Sequence, residues 1–143
     1  MATVDHVYLS ATAEDGSILN IPTVKTETSA IMLNGRKLFP FAVKTMALVM
    51  HKCCQNAGIN LSDIDLVVPH QANQRISTAI EKRLKMKEGS MYSNIAKFGN
   101  TSSCTIPIAL ETIGEVEGGK HIALCAFGAG FTAGAAILSK IEK

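Results

Sequence analysis

The sequence predicts one layered α/β domain whose mixed sheet closes with an antiparallel hairpin. Three observations carry that expectation. Lys37 to Ala57 sets Phe39, Ala42, Val43, Met46, Met50, Cys53 and Ala57 at the three- and four-residue spacing of a helix with one buried face. Leu66 to Val68 is a short, wholly apolar run of the kind found in strands covered on both sides. Ile122 to Phe127 and Phe131 to Leu138 are apolar runs parted only by Gly128-Ala129-Gly130. That link suits a hairpin and is too short for a parallel crossover.

Taken in order, Asp5 to Ser10 alternates enough for a strand. Ala11 to Thr28 is a polar, irregular connection, with Asp15-Gly16 as a turn signal and Pro22 as a breaker. Ala30 to Leu33 is a brief apolar run that Asn34-Gly35 should stop with a tight turn. In the long helix Pro40 should fall near the first turn, and Gly58 just past the end. Ser62 to Asp65 reads as a capped single turn. A second helix follows His70 and runs to about Lys85, with Ala72, Ile76, Ala79, Ile80 and Leu84 inward. Arg75, Lys82, Arg83, Lys85 and Lys87 make its outer side and far end basic. Met91 to Ile95 is a weak strand and Lys97 to Asn100 a loop containing glycine. Thr101, Ser102 and Ser103 are candidate caps for a third helix ending near Val116, with Pro107 in its opening turn.

Composition narrows the functional classes. At 143 residues, 47% of them apolar, the chain can bury a real core, and with no tryptophan that core must be largely aliphatic. Fourteen basic residues against 12 acidic leave a net charge of +2, with no pairing of clustered charge and stacking aromatics to suggest nucleic acid. The longest apolar stretch, near Ile122 to Leu138, is interrupted by Gly128, Gly130 and Gly134, so no membrane span is expected. No His/Cys/Asp spacing resembles a metal site. Cys53, Cys54, Cys104 and Cys125 form no CxxC pair and sit among apolar neighbours. Met1 to Tyr8 lacks the pattern of a signal peptide, so free thiols in a reducing cytoplasm are the expectation.

Three constellations carry chemistry. In Val67-Val68-Pro69-His70-Gln71-Ala72-Asn73 an imidazole follows a buried strand, where open α/β sheets place their sites. By position alone, His70 is as readily a hydrogen-bonded core residue as a proton donor or acceptor. His6, His51 and His121 have no comparable polar company. Gly99-Asn100-Thr101-Ser102-Ser103 reads first as a glycine turn with hydroxyl caps. Its Asn100, directly before the caps, could point inward and donate together with His70 to a thioester or enolate oxygen. Gly128-Ala129-Gly130 reads first as a hairpin needing positive φ, and second as a source of a backbone oxyanion donor. The basic helix side is ordinarily a solvated face, although Arg75 would stand near the mouth of any channel that His70 opens.

In their order and spacing these motifs closely resemble the 3-oxoacyl-[acyl-carrier-protein] synthase III family, of thiolase-like fold. The residues that carry the likeness are Asn34-Gly35 with the Phe39 helix, His70-Gln71-Ala72-Asn73, Gly99-Asn100-Thr101-Ser102 and Phe127-Gly128-Ala129-Gly130-Phe131-Thr132. The likeness spans essentially the whole chain and is strongest from Leu33 onward. It implies the C-terminal half of a thiolase-like fold, with the N-terminal half, which bears the nucleophilic cysteine in the family, absent. None of the four cysteines matches the nucleophile. Cys104 falls where relatives carry a small residue and should be packing.

The resemblance implies the following roles. His70 and Asn100 would be catalytic, stabilising the charge formed as a malonyl thioester loses CO2. The backbone N–H of Ala129 would complete the oxyanion hole, alanine standing where the family usually has glycine. Gly35, Phe39 and Asn73 would line the coenzyme A and pantetheine channel. Arg75, Lys82 and Arg83 would receive an acidic carrier protein, with Pro40 departing from a basic residue common there. The parent would be a homodimeric acyltransferase condensing acyl-CoA with malonyl-acyl-carrier protein in fatty acid or related biosynthesis. It would need no cofactor beyond coenzyme A and phosphopantetheine thioesters as substrates, and the isolated chain would not condense them. Two other readings remain: a half-site or non-catalytic partner subunit, and a thiolase-fold acyltransferase acting on a hydroxyl or amine.

Overall fold

In the computed structural model of the chain, residues 2–12, 18–20, 30–115 and 121–140 are described. The elements are β1 (Ala2–Ala11), β2 (Leu19–Asn20), β3 (Met32–Leu33), α1 (Gly35–Ala57), β4 (Ile64–Pro69), α2 (Gln74–Leu84), α3 (Ile95–Phe98), α4 (Thr105–Ile113), β5 (His121–Gly128) and β6 (Thr132–Lys140). The main sheet runs β1-β6-β5-β4, and β2 pairs with β3 in a second, two-stranded sheet. β4 and β5 are parallel, while β5 with β6 and β6 with β1 are antiparallel, so the closing hairpin forms as the sequence predicts. Most of the polar stretch from Ala11 to Thr28 lies outside the described residues.

α1 starts earlier than its apolar pattern. Asn34, expected in a tight turn, is the N-cap: its side chain accepts the Lys37 N–H at 3.2 Å. Asparagine serves both turns and caps, and here the following helix decides between them. Pro40 consequently sits in the second helical turn rather than the first, and deprives the Arg36 carbonyl of its partner N–H. Gly58 ends the helix in the left-handed conformation, at φ 71°, donating to the carbonyls of Cys54 and Gln55. Ala42, Val43, Met46, Met50 and Cys53 are buried as the spacing requires, joined by Leu38, Ala47, Val49 and Cys54. Phe39 and Ala57 are only partly buried.

β4 is covered on both faces. Val67 joins the core beneath α1 and α2, and Val68 packs with Ala109 and Ile122 on the α4 side. Asn60 and Asp63 form a capping box ahead of it around the single turn Leu61–Asp63, so the turn expected at Ser62 to Asp65 comes one residue earlier and Ile64 and Asp65 open β4 instead. α2 buries Ile76, Ser77, Ile80 and Leu84 and ends at Lys85. Ala72 precedes the helix and, like Ala79, only packs against the core edge.

The expected strand at Met91 to Ile95 reduces to one bridge, Met91 to Val67, and Ile95 opens α3. Side chains occupy the backbone groups that a ladder would use. Glu81 Oε1 accepts from Gly89 and Met91 N–H, and Gln71 bonds the Tyr92 carbonyl and the Asn94 N–H. The expected loop at Lys97 to Asn100 is accordingly part helix, with Gly99 closing α3. α4 is preceded by a 3-10 turn, Ser102–Cys104, and its N-cap is Cys104 with no side-chain bond, so none of Thr101, Ser102 and Ser103 caps it. It ends at Ile113, and Val116 lies outside the described residues.

One sheet face is incompletely covered. α1 packs across β6, β1 and β5 on one side, and α4 packs beside β4 on the other. β1 turns Tyr8 toward the α1 core while Leu9, Val4 and Val7 remain 78%, 62% and 50% exposed. Core and surface differ in consequence for mutation. Ile80→Ala, at a fully buried site, should lower stability by about 2–5 kcal/mol, whereas exposed Leu48→Ala should stay within about 0.5 kcal/mol. Urea denaturation followed by circular dichroism checks both.

Candidate active site

His70 continues the end of β4. Its N–H donates to the Cys125 carbonyl of β5 at 2.7 Å, and its carbonyl accepts the Ala72 N–H at 2.8 Å, closing a tight turn toward α2. Asn73 then caps α2, its Oδ1 accepting the Arg75 N–H at 2.9 Å. Gln71 is buried and fully engaged, donating Nε2 to the carbonyls of Pro69 and Tyr92 and accepting the Asn94 N–H. This amide locks the histidine loop onto the segment that leads to Asn100. The sequence showed Gln71 beside His70 but not that it would be the anchor.

The imidazole is partly buried. Its Nδ1 lies 2.6 Å from Thr105 Oγ1 at the start of α4, and its ring meets Phe127 edge-on at 5.7 Å. Phe127 stacks at 6.0 Å on Phe131, which in turn meets Phe41 at 4.5 Å. The histidine is thus held from the helix side by a hydroxyl and from the hairpin side by an aromatic row. Burial keeps the His70 imidazole below its ordinary titration range, so the neutral form is favoured near neutrality.

Asn100 is exposed, a departure from the inward orientation expected of it, yet it lines the cleft that His70 borders. Its Oδ1 accepts the Ser102 N–H at 2.9 Å, so its free offer to a ligand is the Nδ2 amide. Ser102 stands in the left-handed region at φ 57°. Ala129 and Gly128 of the closing turn line the same cleft, and Gly130, at φ 134°, supplies the backbone conformation of the turn. His70, Asn100 and Ala129 therefore share one cleft although the last lies 59 positions after the first.

This cleft is also walled by Gly35, Phe39, Asn73 and Arg75. Its volume is about 1340 Å³, above the roughly 300–1,000 Å³ usual for small-molecule sites, so an extended ligand fits. The capped N-termini of α1, at Asn34, and α2, at Asn73, both border it and bring the positive ends of two helix dipoles to one place. Arg75 lies over the Phe39 ring at 5.5 Å, and Arg36, which sequence reading missed, joins the wall. The arrangement suits an anionic, elongated molecule. Lys82 and Arg83 lie outside the cleft, on the exposed last turn of α2, where they also complement that helix's negative end.

A second, apolar cleft of about 870 Å³ opens on the bare sheet face along Val7, Leu9, Leu124, Ala126 and Ala136. His70, Ser102, Phe127 and Gly128 line both clefts, which places the imidazole at their junction. Of the four cysteines, Cys125 lines the apolar cleft. Burial raises the Cys53 thiol and pushes Cys54 up to about 11 and Cys125 to about 12, holding them protonated. Cys104 is exposed rather than packed, and it lines neither cleft. Among the described residues no group of three or more His, Cys, Asp and Glu is placed to hold a metal ion, and no helix is long and apolar enough to cross a membrane.

The mixed sheet with its flanking helices is the C-terminal part of a thiolase-like α/β fold. Residues 54–140 match the family described as 3-oxoacyl-[acyl-carrier-protein (ACP)] synthase III C terminal, and the chain belongs to that family. It is 38% identical over 138 residues to beta-ketoacyl-[acyl-carrier-protein] synthase III B, chloroplastic, of Cuphea wrightii, covering 94% of this chain and 33% of that protein. Against beta-ketoacyl-[acyl-carrier-protein] synthase III of Chlamydia trachomatis serovar D it is 33% identical over 152 residues, covering 96% of this chain and 46% of that protein. The crystal structure of 3-oxoacyl-[acyl-carrier-protein] synthase III from Aquifex aeolicus VF5 superposes with a TM-score of 0.86 at 33% identity, over 96% of this chain and 44% of that one. The chain thus spans about a third to a half of the length of these relatives.

The His70 environment sets a pH dependence. Its folded value is depressed, so the unfolded chain binds the proton more readily, and protonation favours unfolding. The contribution of neutral His70 is complete above the unfolded value of roughly 6.5, and is lost as the pH falls toward the folded one. The stability difference between the wild-type chain and His70→Gln should accordingly move against the wild type between about pH 7.5 and about pH 5. Denaturation midpoints at several pH values test this; a difference independent of pH would contradict it.

Proposed function

We propose that this chain supplies the decarboxylation half of an active site that condenses acyl-CoA with malonyl-acyl-carrier protein. The single observation that carries the reading is the gathering of His70, Asn100 and Ala129 on one cleft in a chain of this family. As the malonyl thioester loses CO2, the electron pair of the broken C–C bond moves into an enolate. Asn100 Nδ2 and, once His70 has taken up a proton, His70 Nε2 donate to its oxygen and lower the barrier. The carbanion attacks the acyl thioester on the nucleophilic cysteine, a new C–C bond forms, and the C–S bond breaks to return a thiolate. The Ala129 N–H contributes to the oxyanion hole for that acyl group. Electrostatic stabilisation and proton transfer suffice for these steps, and the thioesters carry their own coenzyme A or phosphopantetheine.

The remaining partners follow from surface chemistry. Gly35, Phe39 and Asn73 wall the path of the pantetheine arm, with Arg75 and Arg36 at its anionic end. Lys82 and Arg83 extend that positive charge over the surface that meets an acidic carrier protein. The bare face at Val4, Val7 and Leu9 receives the N-terminal half, which brings the cysteine to the apolar cleft beside His70.

Reconstitution tests the reading. The chain alone should give no condensation product from acyl-CoA and malonyl-carrier protein. Supplied with the N-terminal half of a relative, it should form product. In that complex His70→Ala should slow malonyl decarboxylation roughly 10²–10³-fold while leaving cysteine acylation largely intact. Robust condensation by the chain alone, or equal loss of both half-reactions, would overturn these roles.

A further inference from the structure

We propose that Thr105 is a positioning residue whose hydroxyl, tied to the Ser102 carbonyl, holds neutral His70 in its Nδ1–H form and leaves the Nε2 lone pair facing the clefts. Thr105 Oγ1 lies 2.6 Å from His70 Nδ1 and 3.0 Å from the Ser102 carbonyl oxygen. A hydroxyl has one proton to give and two lone pairs to receive with. A carbonyl oxygen only accepts, so the contact with Ser102 takes the hydroxyl proton. The contact with Nδ1 is then made by the imidazole as donor. In the opposite arrangement, where Thr105 donates to a bare Nδ1, one of the two hydrogen bonds is surrendered. Thr105 is 3% exposed, so its hydroxyl is confined to these two partners and keeps both bonds only in the first arrangement.

The relay reaches further than His70. The Ser102 N–H fixes Asn100 Oδ1, and the Ser102 carbonyl anchors Thr105, so one left-handed residue orients both polar groups of the site. They are not equivalent. Asn100 presents a donor in every protonation state. His70 accepts at Nε2 while neutral and donates there only as the imidazolium, which keeps Nδ1–H on Thr105. Burial opposes that cation, and a bound malonyl carboxylate would favour it. This last step rests on the proposed function; the tautomer does not.

The test is imidazole ¹⁵N and ¹³C NMR on the whole chain with labelled histidine, at about pH 8 where histidine is ordinarily neutral. His70→Gln, by deleting one set of signals, identifies the resonances of His70 among the four histidines. The wild-type chain and Thr105→Ser should show His70 protonated at Nδ1. Thr105→Val should shift the population toward Nε2–H, with the amide fingerprint reporting that the fold is retained. A wild-type His70 protonated at Nε2 would overturn the proposal whatever the variants do. So would a folded Thr105→Val with an unchanged tautomer. A failed condensation assay leaves this readout untouched, so the two proposals fail separately.

Discussion

The parallel pairing of β4 with β5 is the constraint on which the rest of the molecule depends. It aligns Pro69 with Cys125, and the His70 N–H extends the same ladder by one bond. The catalytic candidate is therefore fixed by main chain before any side chain acts. Parallel strands require a crossover, and here it carries α2, α3 and α4 between the two strand ends. The outward leg starts at His70, and the return passes Asn100. β5 then runs on into the Gly128–Gly130 turn, so three distant segments converge at the carboxyl edge of the sheet, where such sheets bind ligands.

Polar groups finish what the strands begin. Gln71 satisfies three backbone groups from two segments and would be expensive to bury otherwise. Ser102 links Asn100 to Thr105, and Thr105 links onward to His70. The aromatic row of Phe127, Phe131 and Phe41 supports the other flank of the imidazole. Mutual N–H to carbonyl bonds between Thr12 and Phe131 tie the hairpin to the end of β1. The walls of the site are thus cross-linked by hydrogen bonds and ring contacts, and two clefts open from it, one bordered by two helix N-termini and two arginines, the other lined by the apolar sheet face.

Much of this was legible in the sequence. The 3/4 spacing of α1, the apolar run of β4 and the glycine link of the closing hairpin each reflect local physics: one buried face, two covered faces and a turn. The failures are equally physical. Asn34 suits a turn or a cap, and only the length of the following helix chose the cap. Met91 to Ile95 has strand character, but side chains of Glu81 and Gln71 claimed its backbone groups. The hydroxyls at 101–103 resembled caps until a 3-10 turn displaced the helix start to Thr105. Cys104 was misplaced for the same reason, since that shift carries it to the surface.

The sequence by itself determined the family and the elements that carry His70, Asn100 and Ala129. Those features live in residue order, where short motifs and periodicity are written directly. Tertiary structure decided that the three residues share a cleft and that two helix N-termini and Arg36 open onto it. It also decided that His70 leans on Thr105. Each of these depends on which segments meet across the sheet, and contact between distant segments leaves no periodic trace along the chain.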